Sequence, residues 1–199
     1  MIENVVMENR RLEQLFLAID KNITSMENAQ YYYEIATIFF GEKKYYDAIN
    51  YFNQAIKNFY RLDVENECVA ECYYYVGECC FNLTKYQECG AYYSKAMEIS
   101  LDLSNYYMVG KCMQMLGRTY HKNHKIDVAI SYFLDAKSIA LKIKDYPLLA
   151  DVLLDMALVY YPKDRAKSTH YLMLAKVNYV KLCNKQKVVL CNNYLKNLA

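Results

Sequence analysis

Tryptophan is absent from this 199-residue chain, proline occurs twice, glycine five times and histidine three times. Scarcity of helix breakers, beside plentiful Leu, Ala, Lys, Glu and Met, favours helix throughout. Three histidines leave little material for acid–base chemistry, and the sequence holds no nucleophile motif, phosphate-cradling glycine loop or metalloprotease pattern. No enzymatic activity is expected, and no cofactor. Long apolar runs are missing too. Ile35-Ala36-Thr37-Ile38-Phe39-Phe40 is about the longest, far short of a membrane span. The opening Met1-Ile2-Glu3-Asn4 lacks the basic end and apolar stretch of a secretion signal, so a cytoplasmic location and no membrane partner are expected. The net charge is only +2, with no basic cluster beyond short pieces such as Lys43-Lys44, which argues against direct nucleic-acid binding.

What is present is tyrosine, 23 of it, and eight cysteines. Tyrosine fills a core while its hydroxyl reaches water or a partner. The cysteines sit within helical patterns, Cys68 and Cys72 four apart and Cys79-Cys80 adjacent, and read as small apolar side chains with free thiols. Cys112, His121 and His124 form only a loose cluster without two properly spaced ligand pairs, so no metal is expected.

The organising signal is repetition. Ala36, Gly77, Gly117 and Ala157 are spaced 41, 40 and 40 residues apart. Each follows an apolar residue (Ile35, Val76, Leu116, Met156), with a large residue four before (Tyr32, Tyr73, Met113, Leu153) and Phe39, Cys80, Tyr120 or Tyr160 three after. Twelve residues on stands a second small residue, Ala48, Cys89 or Ala129; an aromatic follows, Phe52, Tyr93 or Phe133, then Ala55, Ala96 or Ala136. The fourth unit fits with Ser168, Leu172 and Ala175 if its turn is one residue shorter. Two antiparallel helices approach closely only where both present small side chains, and the flanking aromatics fill the space beside that crossing.

This pattern resembles the tetratricopeptide repeat, with a longer second helix than is usual. The expected fold is an all-α α-solenoid of four such helix hairpins with capping helices at both ends. It is read as one domain over 1–199: a first helix at 4–24, with Val5, Leu12, Phe16, Ile19 and Ile23 on one face; hairpins at 28–62, 66–103, 105–144 and 147–183; and a last helix at 186–198. Asn105 and Asp145 stand where N-caps belong, and Pro147 falls in a first turn. Repeats near forty residues, above all the segment Gly117 to Ala136, are similar to those of Rap-type and arbitrium-type peptide receptors of Gram-positive bacteria and their phages. That resemblance implies a regulatory peptide receptor. Members of the group carry an N-terminal effector, a three-helix bundle or a helix-turn-helix, and the roughly 27 residues before the first hairpin match neither. Gln14, which a phosphatase reading would single out, is taken as an ordinary helix-surface residue.

In such solenoids the first helices line the inner groove. Counting from the repeat alignment, its expected peptide- or partner-binding residues are Tyr33, Thr37, Tyr74, Glu78, Asn82, Gln114, Arg118, His121, Lys122, Asp151, Leu154 and Leu158. Arg118 and Asn82 are the expected polar anchors: an arginine pairs bidentately with a carboxylate, and an amide both gives and accepts a bond to extended backbone. Tyr33, Tyr74 and His121 offer flat contact surface. The expected function is a non-enzymatic binding module for a short peptide or partner segment. The alternative is an adaptor or phage-borne inhibitor that uses its outer surface or ends. The stripe Val188, Val189, Leu195 and Leu198 on the last helix suggests a homodimer through terminal helices.

Overall fold

A computed structural model describes residues 2–19, 25–63 and 66–198, with side chains from Arg10 onward. Among these residues the chain forms ten α-helices and no strand. They are α1 (Ile2–Ala18), α2 (Met26–Gly41), α3 (Tyr45–Arg61), α4 (Glu67–Asn82), α5 (Tyr86–Asp102), α6 (Tyr106–Lys122), α7 (Ile126–Lys142), α8 (Tyr146–Tyr160), α9 (Arg165–Lys181) and α10 (Lys185–Leu198). The fold class is the all-α hairpin solenoid expected, its four hairpins α2/α3, α4/α5, α6/α7 and α8/α9 flanked by α1 and α10. Of the first-helix face, Ile23 lies outside the described residues and nothing is described of the Val5 side chain.

The small residues mark close approaches, but the first-helix glycines Gly77 and Gly117 face the aromatic ring of the second helix and not its small residue. A Cβ on Gly77 would stand 2.7 Å from the Tyr93 ring, and one on Gly117 would stand 2.6 Å from the Phe133 ring. Both rings are fully buried, so hairpins α4/α5 and α6/α7 close over a bare backbone. In the fourth hairpin Ser168, Leu172 and Ala175 are all fully buried, and the Ser168 hydroxyl donates to the Ala157 carbonyl at 3.0 Å. The register change there comes from the helix and not the turn. α8 has 15 residues against 17 in α6, while its turn, 161–164, is one residue longer than the turn 123–125. Pro162 lies in that turn, where it has no N–H to extend the helical ladder.

Caps and turns repeat as well. Ser25, Asn66, Asn105 and Asp145 each accept, through a side-chain oxygen, the backbone N–H three residues on, at 2.8–3.2 Å. The turns bend through a left-handed residue that is not glycine: Lys43, Asp63, Thr84, Ser104, His124, Lys144 and Cys183, with φ between 54° and 61°. This is how seven turns are made in a chain with five glycines.

The chain divides into two compact units, Met1–Leu103 and Ser104–Ala199. In the first, α1 lies on the first hairpin, with Leu15 buried, Phe16 against Tyr51 at 5.8 Å and Arg11 paired to Glu34 at 2.6 Å. Phe52, Phe59, Tyr93 and Ile99 form its core. The second unit is centred on Phe133, Met156, Leu172, Tyr179 and Cys191, and Val188, Leu195 and Leu198 of α10 pack against that cluster. Three of the four residues of the terminal stripe are therefore used within the chain, and Val189 stays 57% exposed.

Candidate functional site

The first helices α2 and α4 in one unit, and α6 and α8 in the other, carry the residues expected to line a groove. In the first unit the Tyr33 hydroxyl donates to Glu71 Oε2 at 2.6 Å, joining α2 to α4. Tyr93, on α5, donates to Glu78 Oε1 at 2.8 Å. Burial, together with the adjacent carboxylate, pushes both phenols up in pKa, which keeps them protonated donors. Thr37 bonds back to the Glu34 carbonyl at 2.7 Å, and exposed Asn82 to the Glu78 carbonyl at 2.8 Å. Tyr74 is buried, with its ring 5.7 Å from Tyr93.

In the second unit the residues converge on one carboxylate that sequence reasoning missed. Asp155 of α8 accepts from Gln114 Nε2 at 2.6 Å and from Arg118 Nε at 2.8 Å, both on α6. Arg118 also points a guanidinium nitrogen at the Met115 sulfur, 3.6 Å away. Asp155 and Gln114 are buried, and Arg118 keeps a third of its side chain exposed. Burial pushes the Asp155 carboxyl up in pKa, and Arg118 and Gln114 oppose that shift without cancelling it. The signal was there to read. Asp155 is a carboxylate inside the run Val152-Leu153-Leu154-Asp155-Met156-Ala157, and a charge in such a run needs a partner.

Asp151, one turn earlier on α8, accepts from the Tyr179 hydroxyl and from Lys187 Nζ at 3.4 Å. A cleft of about 230 Å³ opens beside it, lined by Tyr107, Lys111, Gln114, Asp145, Pro147, Leu148 and Asp151. Leu154 is buried, Leu158 half-buried and Lys122 exposed. His121 is half-buried, and burial with nearby Lys122 and His124 lowers its pKa. Seven of the twelve expected residues fall into three sets, while Thr37 and Asn82 bond within their own helices and His121, Lys122 and Leu158 are at least partly exposed. Gln114 and Asp151 reach the cleft, Tyr33, Glu78 and Arg118 are tied into helix-joining bonds, and Tyr74 and Leu154 lie in packed interior. The last set shares one repeat position.

Family models of the tetratricopeptide repeat match residues 29–58 and 68–142. The chain is a tetratricopeptide-repeat protein. A comparison with curated protein sequences finds no match. Among solved structures, this repeat protein is similar to aspartyl phosphate phosphatase F from Bacillus subtilis, at a TM-score of 0.84 and 15% identity over 96% of the chain. The apo form of RapI matches at 0.80 and 17% identity over 99% of the chain and 75% of RapI. The Rap conjugation gene regulator of plasmid pLS20, solved with a Phr peptide, matches at 0.71 and 18% identity over 85% of the chain. At these identities the likeness is one of fold. The repeat protein spans 49% of the phosphatase and 49% of the plasmid regulator. Among the described residues no three His, Cys, Asp or Glu side chains gather as a metal-ligand set, and no helix is long and apolar enough to cross a membrane.

Proposed function

We propose that this repeat protein is a non-enzymatic regulatory binding module that holds a short peptide or a partner segment against the inner faces of its first helices. The observation that carries the reading is the cleft between α6 and α8. Its lining brings together a buried amide, Gln114, an ammonium group, Lys111, a carboxylate, Asp151, and the half-exposed Tyr107 ring. That combination suits an extended backbone and a few side chains. The Gln114–Asp155–Arg118 bonds hold α6 and α8 in place beneath it. The Phr peptide held by the plasmid-encoded structural relative supports a peptide as the ligand class. A location in the cytoplasm fits the same reading.

The role of Arg118 follows from its bond to Asp155. It acts first as a support, and removing it leaves a buried carboxylate without its cation, at a cost of about 3 kcal/mol. The sharper test therefore uses the cleft wall. Peptides are selected from a displayed random library on the whole chain, and their affinities are measured for the wild type, Tyr107→Ala and Lys111→Glu alongside melting temperature. Affinity reduced about tenfold or more at unchanged melting temperature is the expected result. Unchanged affinity in both variants removes the inner cleft. The alternative, an adaptor or inhibitor that engages a host protein through its outer surface or ends, then becomes the better account.

A further inference from the structure

α10 is built as the first helix of a fifth hairpin. Its cap, Asn184, accepts the Lys187 N–H at 3.1 Å, as the four caps described above do for theirs, and left-handed Cys183 makes the same joint before it. Placed 39 residues after α8, its Val188, Cys191 and Leu195 stand for Leu149, Val152 and Met156, and they turn to the chain's own core in the same way. The rest of the helix departs from the frame. Val189, Asn192 and Lys196 stand for Ala150, Leu153 and Ala157. Those three are buried in α8, whereas Val189 and Lys196 are exposed in α10. A lysine at the position where every other first helix has glycine or alanine forbids the close crossing of an ordinary hairpin mate.

The face is concave and of one charge sign. A cleft of about 510 Å³ is lined by Lys176 of α9 and by Val189, Asn192, Asn193, Leu195 and Lys196 of α10. Residues 165–199 hold seven Lys or Arg and no Asp or Glu. Among the described residues the ion pairs of this region employ Lys167 with Asp164 and Lys187 with Asp151, and neither lysine lines the cleft. Met173, Val177 and Val180 add an exposed apolar row along α9.

We infer that this end of the second unit is a docking surface for an acidic, amphipathic helical segment of a partner protein. The segment's apolar side meets Val189 and Leu195, its carboxylates reach Lys176 and Lys196, and the Asn192 and Asn193 amides bond its polar edge. The longer reach of a Lys–Glu contact replaces the close crossing that Lys196 blocks. A twofold contact of α10 with a second copy is disfavoured, because it sets Lys185 and Lys196 against their like. This surface is distinct from the cleft between α6 and α8, and the two are tested by different variants.

The probe is a fluorescein-labelled synthetic helix of about 16 residues, with leucines on one face and glutamates flanking them. Controls are its Glu-to-Gln counterpart and a scrambled version of the same composition. Binding to the full chain is read by anisotropy at about 50 and 300 mM salt. The acidic helix is expected to bind about tenfold more tightly than either control, to weaken with salt, and to lose about tenfold in affinity in Lys176→Glu and in Lys196→Glu at unchanged melting temperature. Lys181→Glu, a charge change on α9 outside the cleft, is expected to leave binding within about twofold. The inference is overturned if the control helices bind equally well, or if Lys181→Glu weakens binding as much as the cleft variants. Sedimentation showing the face occupied by a second copy of the chain overturns it as well.

Discussion

Gly77 and Gly117 are small for the sake of the rings they face, and Gly90 is not. The space where a Cβ would stand on Gly117 is filled by the Phe133 ring at 2.6–2.9 Å, and that ring is fully buried with nowhere to retreat. Gly117→Ala is therefore expected to lower stability by about 1–3 kcal/mol, and Gly117→Leu by more. Gly90 lies within α5 with nothing within 4 Å of its would-be Cβ. There the extra methyl only restrains the unfolded chain and improves helix propensity, so Gly90→Ala is expected to raise stability by about 0.5–1 kcal/mol. Urea unfolding of both variants checks the pair, and equal effects would mean that the crossing in α6/α7 is looser than its geometry. Thr84 is the complementary case, a β-branched residue at φ 60°. Thr84→Gly removes strain of about 1 kcal/mol, and an upward shift in the same unfolding midpoint is expected.

At the scale of elements, the hairpins were legible because their signal is additive. A small residue, two large neighbours and a second small residue recur in each unit, and the packing needs all of them. The caps Asn105 and Asp145 and the triple Ser168, Leu172 and Ala175 were readable for the same reason. The groove was less legible, because its alignment assigns a direction to each side chain without showing how far packing covers it. Tyr74, Gln114 and Leu154 share one position and are buried there, while Tyr33 at the same position of the first hairpin stays half-exposed. Asp155 was missed for a different reason: its repeat position, shared with Glu34, Tyr75 and Met115, was not among those counted into the groove. Its bond across to α6 has a pH signature. A carboxyl whose folded pKa is raised binds its proton more tightly in the folded chain, so its contribution is fully present at or below the ordinary carboxylate value of 3.8 and is lost as pH rises through the folded value. Asp155→Asn abolishes that titration while keeping an oxygen for Arg118 and Gln114. The stability of the wild type relative to Asp155→Asn is expected to fall as pH rises above the ordinary carboxylate value of 3.8. A difference that grows with pH would mean that Arg118 outweighs burial.

For the molecule as a whole, a hairpin stack has stability that is close to a sum of units and their interfaces, so its opening is graded along the chain. The cysteines report that opening, because none of the eight is in a disulfide and they are spread through both units. Cys183, in the turn before α10, is exposed, and Cys68 is half-buried. The other six are buried. Burial raises the thiols of Cys79 and Cys89 to about 12 and pushes up Cys72, Cys80 and Cys191 as well. A buried thiol with a raised pKa is neither accessible nor ionised near neutral pH, so it reacts only after its helix opens. With a thiol-specific reagent at about pH 8, Cys183 is expected to react first and alone, followed by Cys68. Cys191 comes next among the buried set, because α10 is held on one side only, by α9 and the cluster beneath it. The four buried thiols of the first unit (Cys72, Cys79, Cys80 and Cys89) are expected to react together, since each sits within the single hairpin α4/α5. In denaturant all eight react. Fewer than eight in denaturant would reveal disulfides, and scattered rates among those four would show that α4 and α5 open separately.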